Sequence, residues 1–180
     1  MEKILHLIQK LKPLLKFLSK IIGRLRNLPE EKPAKTGGSS PLMEFVENYT
    51  GKAVDWDGHF GAQCVDLVRL YWDVVENIPQ PEPTGTGGAV VFFTKHYLRP
   101  IQRRHLKLIA YRSGMVAPEG SVVVFEGTPA NRFGHIGICV SADENVINLF
   151  EQDGFRQSPA AVGRWDYSRV LGWLVRHKAA

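Results

Sequence analysis

Cysteine is scarce: the 180 residues contain two, Cys64 and Cys139. A scaffold stapled by several disulfides is thereby excluded, and one bridge is the most that could form. Long apolar runs are also missing. Lysines recur every few residues through the most hydrophobic stretch, so nothing is long enough to span a bilayer. The same interruptions remove the continuous apolar core of a secretory signal. No internal repeat is present, and "PTGTGG" around Gly85 lacks the Gly-Lys-Ser/Thr that would complete a phosphate loop. A charge excess is absent from most of the chain as well. The net +5 originates in residues 1–40, where nine Lys/Arg face three Glu, while residues 41–180 carry a net −1. Nucleic acid as a partner loses its support there.

What is present is the composition of an ordinary globular protein, 44% hydrophobic and 23% charged. The length suits one domain plus an appendage. Residues 1–28 are the appendage: Ile4, Leu7, Ile8, Leu11, Leu14, Leu15, Leu18, Ile21, Ile22 and Leu25 form a helical stripe flanked by lysines, with a bend expected at Pro13. A basic amphipathic helix of this kind lies on a membrane surface, docks on a partner such as a virion protein, or packs on its own domain. Residues 29–40, rich in Pro, Gly, Ser and charge, read as a flexible linker.

From residue 41 onward helices precede strands, which predicts an α+β domain with an antiparallel sheet. "SPLMEFVENYTG" reads as a short capped helix. Residues 63–77 form the next, with Asp66, Arg69, Asp73 and Glu76 as its polar stripe. Residues 121–127, 133–142, 145–153 and 169–176 read as strands. "GGAVVFFTKHYL" is ambiguous, and "RPIQRRHLKLIAYR" is compatible with an exposed basic strand or hairpin.

Cys64 falls in the first turn of its helix, after the turn residues Gly58 and Gly61. Unpaired amides and the macrodipole stabilise a thiolate there. On position alone, a nucleophile and a structural cysteine both remain open. A nucleophile needs an imidazole to take its proton and a third group to orient that imidazole. His135 starts an apolar strand directly after a glycine, and alternation places it on one face with Gly137 and Cys139. A short turn near residues 143–145 would bring His135 opposite residue 151 or 152, with Glu151 and Asp153 as the nearby carboxylates.

"GAQCVDLVRLYW", "GSVVVFEG", "FGHIGICVSADENVINLFEQD" and "VLGWLVR" resemble the CHAP domain family, cysteine, histidine-dependent amidohydrolases/peptidases related to NlpC/P60 and papain-like enzymes. The resemblance spans residues 41–180. It implies a papain-like fold and hydrolysis of amide bonds in bacterial peptidoglycan, an activity common in phage lysins and bacterial autolysins. Cys64 would be the nucleophile, His135 the general base and Glu151 its orienting group. Asp153 stands where the family often has Asn, and Gln63 lies where amides help hold an oxyanion. Ser121 departs from the family's usual Asp at a turn. No metal is needed for these steps. Without a signal peptide, the expectation is action at the wall after phage-mediated release or from within a virion. The alternative is a catalytically idle structural or adhesive virion component anchored by its N-terminal helix.

"DWDGHFGAQCVD" also begins like a calcium loop, with Asp55 and Asp57 at positions one and three, the His59 carbonyl at five and Asp66 at twelve. Phe60 replaces the glycine of an EF-hand, so it is not one. Some CHAP lysins bind calcium through a similar loop, and the resemblance makes Asp55, Asp57, His59 and Asp66 candidate ligands of a structural ion. Simple Asx turns at Asp55 and Asp57 are the competing reading.

Overall fold

The computed structural model describes residues 39–80, 88–93, 100–154 and 156–177. The amphipathic helix expected over 1–28 and the linker up to residue 38 lie outside the described residues. Ser40, counted above with the linker, instead caps the first helix: its Oγ accepts a hydrogen bond from Met43 N–H at 3.3 Å. With Pro41 at the first helical position, this sets the start of α1, Pro41–Tyr49.

Helix α2, Cys64–Val74, is shorter than the expected 63–77. Its supposed polar stripe is corrected by the structure, because Asp66 and Arg69 are 1% and 3% exposed. The helix is covered on more sides than its pattern suggested. Asp66 turns back onto the helix start, and the Arg69 guanidinium lies over the rings of Trp56 and Phe92. The ambiguous "GGAVVFF" stretch holds a 3₁₀ turn, Ala89–Phe93, and the arginine-rich run divides into α3, Pro100–His105, and β1, Leu106–Ala110.

The remaining strands are β2 (Val122–Phe125), β3 (His135–Ala142), β4 (Ile147–Asp153), β5 (Ser158–Trp165) and β6 (Val170–Arg176). They form one six-stranded sheet in the order β1-β6-β2-β3-β4-β5, and every neighbouring pair is antiparallel. The α+β, papain-like fold expected from the sequence is the one found. Strand β5 was not anticipated. Pro159 and Gly163 break its apolar alternation, which an edge strand tolerates.

Apolar side chains pack on both faces of the sheet. Phe45, Leu67, Tyr71 and Trp72 from the helices meet Val122, Val124, Ile136, Ile138 and Phe150 on one face. Val123, Phe125, Cys139, Leu149 and Trp173 pack with Tyr167 on the other. Strand β2 is buried along its whole length, as a central strand covered on both sides must be. Each large side chain so buried contributes about 1.5–3 kcal/mol. Phe45 sits edge-on to Tyr71 and Phe150, with centroids 5.4 and 5.9 Å away, seating α1 against α2 and β4. The consequence for function is placement: α2 is fixed by its apolar face so that its first residue meets the sheet. Among the described residues no helix is long and apolar enough to cross a membrane.

Candidate active site

Cys64 is the first residue of α2 and partly exposed. Gln63 precedes it as the N-cap, and Asp66 reaches back so that its Oδ2 accepts from Gln63 N–H at 2.8 Å. His135 begins β3. Gly134 before it has φ +71°, and a Cβ there would stand 2.5 Å from Phe125 O, so the turn that delivers the imidazole requires glycine.

The imidazole lies among Glu151, Cys64, Trp165 and Phe125. Nε2 is hydrogen-bonded to Glu151 Oε2. Cys64 lies near enough to the same ring to favour its protonated form. The indole of Trp165 stacks on the ring with centroids 5.0 Å apart and planes 21° from parallel. Burial opposes protonation of His135, but hydrogen bonds to Cys64 and Glu151, and the negative charge each can carry, outweigh it and raise its pKa to about 10. Both oxygens of Glu151 are engaged, since Trp165 Nε1–H donates to Oε1 at 2.6 Å. Gly163 on β5 makes room for this pair, because a Cβ there would collide with Oε1.

The register differs by a small step from the one expected. Ile138 pairs with Phe150 and Cys139 with Leu149, which puts Glu151 beside Gly137 and diagonal to His135 instead of opposite it. A Cβ on Gly137 would lie 3.3 Å from Glu151 Cβ, so the absence of a side chain there opens the diagonal. Asp153 is turned toward the β4–β5 connection. Its Oδ1 accepts from Arg156 N–H at 3.3 Å, and Oδ2 lies 3.6 Å from Arg156 Nε.

Asp55, Asp57 and Asp66 do come together: one carboxylate oxygen from each lies within 4.8 Å of the others. Both Asx turns are also real. Gly58 N–H donates to Asp55 Oδ1 at 2.8 Å and His59 N–H to Asp57 Oδ1 at 2.9 Å. The turns shape a loop that gathers the acids. Asp66 Oδ1 is buried with no hydrogen-bond partner. Burial pushes the Asp66 carboxyl up to about 7; the Gln63 amide pulls it down, Asp57 and Asp55 push it further up, and Arg69 counters them. Three carboxylates, one of them bearing the orphaned buried oxygen, are hard donors that suit a hard cation such as calcium. The His59 imidazole is exposed.

Sequence reasoning missed two residues. Trp165 lies on the strand that was not foreseen. Gln152 sits between two carboxylates that drew attention first, yet strand alternation sends its polar side chain toward the helices, which was a readable signal. The two cysteines are both free, and Cys139 is buried in the sheet's second core.

No protein-family model matches the chain. Among solved structures, the wild-type endolysin LysIME-EF1 matches with a TM-score of 0.50 at 20% identity, over 74% of this chain and 62% of that one. Ly7917, solved with the hydrolyzing product of MDP, matches with a TM-score of 0.57 at 14% identity, over 76% of this chain and 61% of that one. The likeness is one of fold. The chain covers less than two thirds of the length of either structure.

Proposed function

We propose that residues 41–180 form a CHAP-type peptidoglycan hydrolase that cleaves an amide bond by thiol chemistry. What carries this reading is one imidazole that is hydrogen-bonded to Glu151 and has its protonated form favoured by a nearby Cys64. That constellation is what a cysteine nucleophile needs. The sharing of a fold with an endolysin, and with a protein solved beside the hydrolyzing product of MDP, supports the choice of substrate.

The chemistry follows from the protonated imidazole. Cys64 sulfur, as thiolate, attacks the amide carbonyl carbon, and the electron pair of the C=O bond moves to oxygen. Amides at the start of α2 and near Gln63 stabilise that oxyanion. The C–N bond then breaks as His135 passes its proton to the leaving amine, giving a thioester. Neutral His135 next removes a proton from water, whose oxygen attacks the thioester, and the acid product departs as the thiolate–imidazolium pair is restored. Glu151 holds the ring's orientation and its charge throughout, and Asp153 serves the turn beside it. Scission at the sugar–peptide junction makes the enzyme an N-acetylmuramoyl-L-alanine amidase, and scission within the peptide an endopeptidase.

Asp55, Asp57 and Asp66, with the His59 carbonyl, are the residues that would hold calcium. The ion would supply positive charge to a carboxylate cluster two residues from the nucleophile and brace the loop before it. Attachment to a membrane surface or a virion protein is assigned to residues 1–28 on the strength of their basic amphipathic pattern. The protein would then reach the wall after phage-mediated release or as part of a particle.

The test is digestion of purified walls by wild type and Cys64→Ser, with mass spectrometry of the released fragments. Wild type should release new amine and carboxyl termini, and the variant should lose about 10⁴-fold or more while keeping its fold. Equal fragment release from both, or none from either, would end the reading of Cys64 as the nucleophile of a wall hydrolase.

A further inference from the structure

One buried side chain connects the parts of this site, and none of the steps above uses it. Gln152, 1% exposed, follows Glu151 on β4 and points to the opposite face of the sheet. Its Oε1 accepts from Val54 N–H at 3.0 Å, and its Nε2 donates to Val54 O and to Gln63 O, each at 2.6 Å. Both donors of the amide are thereby committed. Val54 leads directly into Asp55, and Gln63 leads directly into Cys64.

The bond to Gln63 has a geometric consequence. That carbonyl belongs to the same peptide unit as the Cys64 N–H, and no peptide in the described residues is cis. A trans peptide is a rigid plate whose C=O and N–H point in opposite directions, so holding the oxygen aims the amide. The oxygen is held from two elements, by Gln152 from the sheet and by Asp66 N–H, at 3.0 Å, from the helix. The N–H of Gln63 is held by Asp66 Oδ2. The amide left to point outward is that of Cys64, at a helix start where it has no partner within the helix. An oxyanion formed by attack of Cys64 develops beside it.

We propose that Gln152 is a positioning residue for the oxyanion: through the Gln63–Cys64 peptide it aims the Cys64 N–H, and through Val54 it ties the acidic loop to the strand that carries Glu151. It touches no substrate atom. The proposal rests on Cys64 being the nucleophile, and its test is therefore independent of the wall.

The full chain, as wild type, Gln152→Glu and Gln152→Met, is treated with two small reagents that react at Cys64. Iodoacetamide alkylates the sulfur by direct displacement, with no oxyanion. p-Nitrophenyl acetate acylates it through a tetrahedral oxyanion. Cys139 is 0% exposed, and Cys64→Ser gives the background. Glutamate keeps the acceptor and loses the two donors; methionine is neutral and of similar shape, should a buried charge unfold the first variant. Melting curves set a temperature at which all three are folded. Alkylation should stay within about twofold while acylation falls by about tenfold or more, part of the roughly 10²–10³ lost when an oxyanion donor is removed outright. On walls the same variants should lose kcat with KM nearly unchanged. Parallel falls in both reagent rates would mean that Gln152 merely supports the nucleophile, and unchanged rates that it aims nothing; either overturns the proposal. A wild type that is acylated by the ester but inert toward walls would sink the choice of substrate and leave this inference standing.

Discussion

Two carboxylates serve the neighbourhood of Cys64, and they are in opposite conditions. Glu151 is saturated, with one oxygen on the His135 imidazole and the other on the Trp165 indole. Asp66 is more deeply buried, keeps one oxygen unpartnered and faces two further aspartates. Both corners hold a proton more firmly than their residue types do in water, for different reasons. At His135 the charged form is favoured by its partners; at Asp66 the charged form is disfavoured by burial and like charge. The first corner is complete from the protein's own atoms. The second gathers three carboxylates with one buried oxygen unpartnered.

Breaking the first corner should have the larger effect. Glu151→Gln removes the charge that helps keep the imidazole protonated, and hydrolysis should drop by about 10²–10⁴. The pH dependence should move with it. In wild type the imidazolium persists until the pH passes about 10. In the variant the alkaline limb of hydrolysis, which needs the imidazolium as proton donor, should shift toward the ordinary imidazole range. The sign for stability is the same: what the raised pKa contributes is full below about pH 6.5, is lost as the pH climbs through about 10, and should be smaller in the variant, which keeps the interaction with Cys64. An unmoved profile would separate Glu151 from the imidazole's charge.

The second corner is sharpened by titrating the protein with calcium chloride. At about a hundredfold excess over the dissociation constant the ion should add roughly 2.7 kcal/mol, seen as a melting point several degrees higher, and Asp55→Ala should abolish the gain. Indifference to calcium in both proteins retires the ion. The smallest effect is expected from Trp165→Phe, which keeps a stacked ring and removes the bond to Glu151 Oε1. A loss of about threefold to tenfold corresponds to one hydrogen bond of about 1 kcal/mol. A loss as large as that of Glu151→Gln would show the indole to be as necessary as the carboxylate.

Much of this was legible because the informative residues mark the ends of elements. Cys64 opens a helix after turn glycines, His135 opens a strand after the one residue that fits a left-handed turn, and Glu151 lies near the far end of the next strand. The β-branched runs of β2, β3 and β6 announced a sheet. What stayed hidden depended on tertiary covering. The polar stripe of α2 looked solvated because periodicity cannot say how many sides of a helix are packed. Strand β5, with proline, alanines and glycine, has no alternation to read, and Trp165 was hidden with it. The offset in register at Glu151 is set in the connection between Ala142 and Ile147, which already pair with each other, and the irregularity between Cys139 and Ser141 takes back one residue of it; no residue type announces either.

Strand β4 presents consecutive residues to two different tasks, Glu151 to the imidazole and Gln152 to the loop and helix on the other side. A slip by one position would exchange the two and defeat both at once. Length changes just upstream of Glu151 therefore obey parity: two residues added or removed preserve the assignment, whereas one must be absorbed in the Asp143–Val146 connection or in a further bulge.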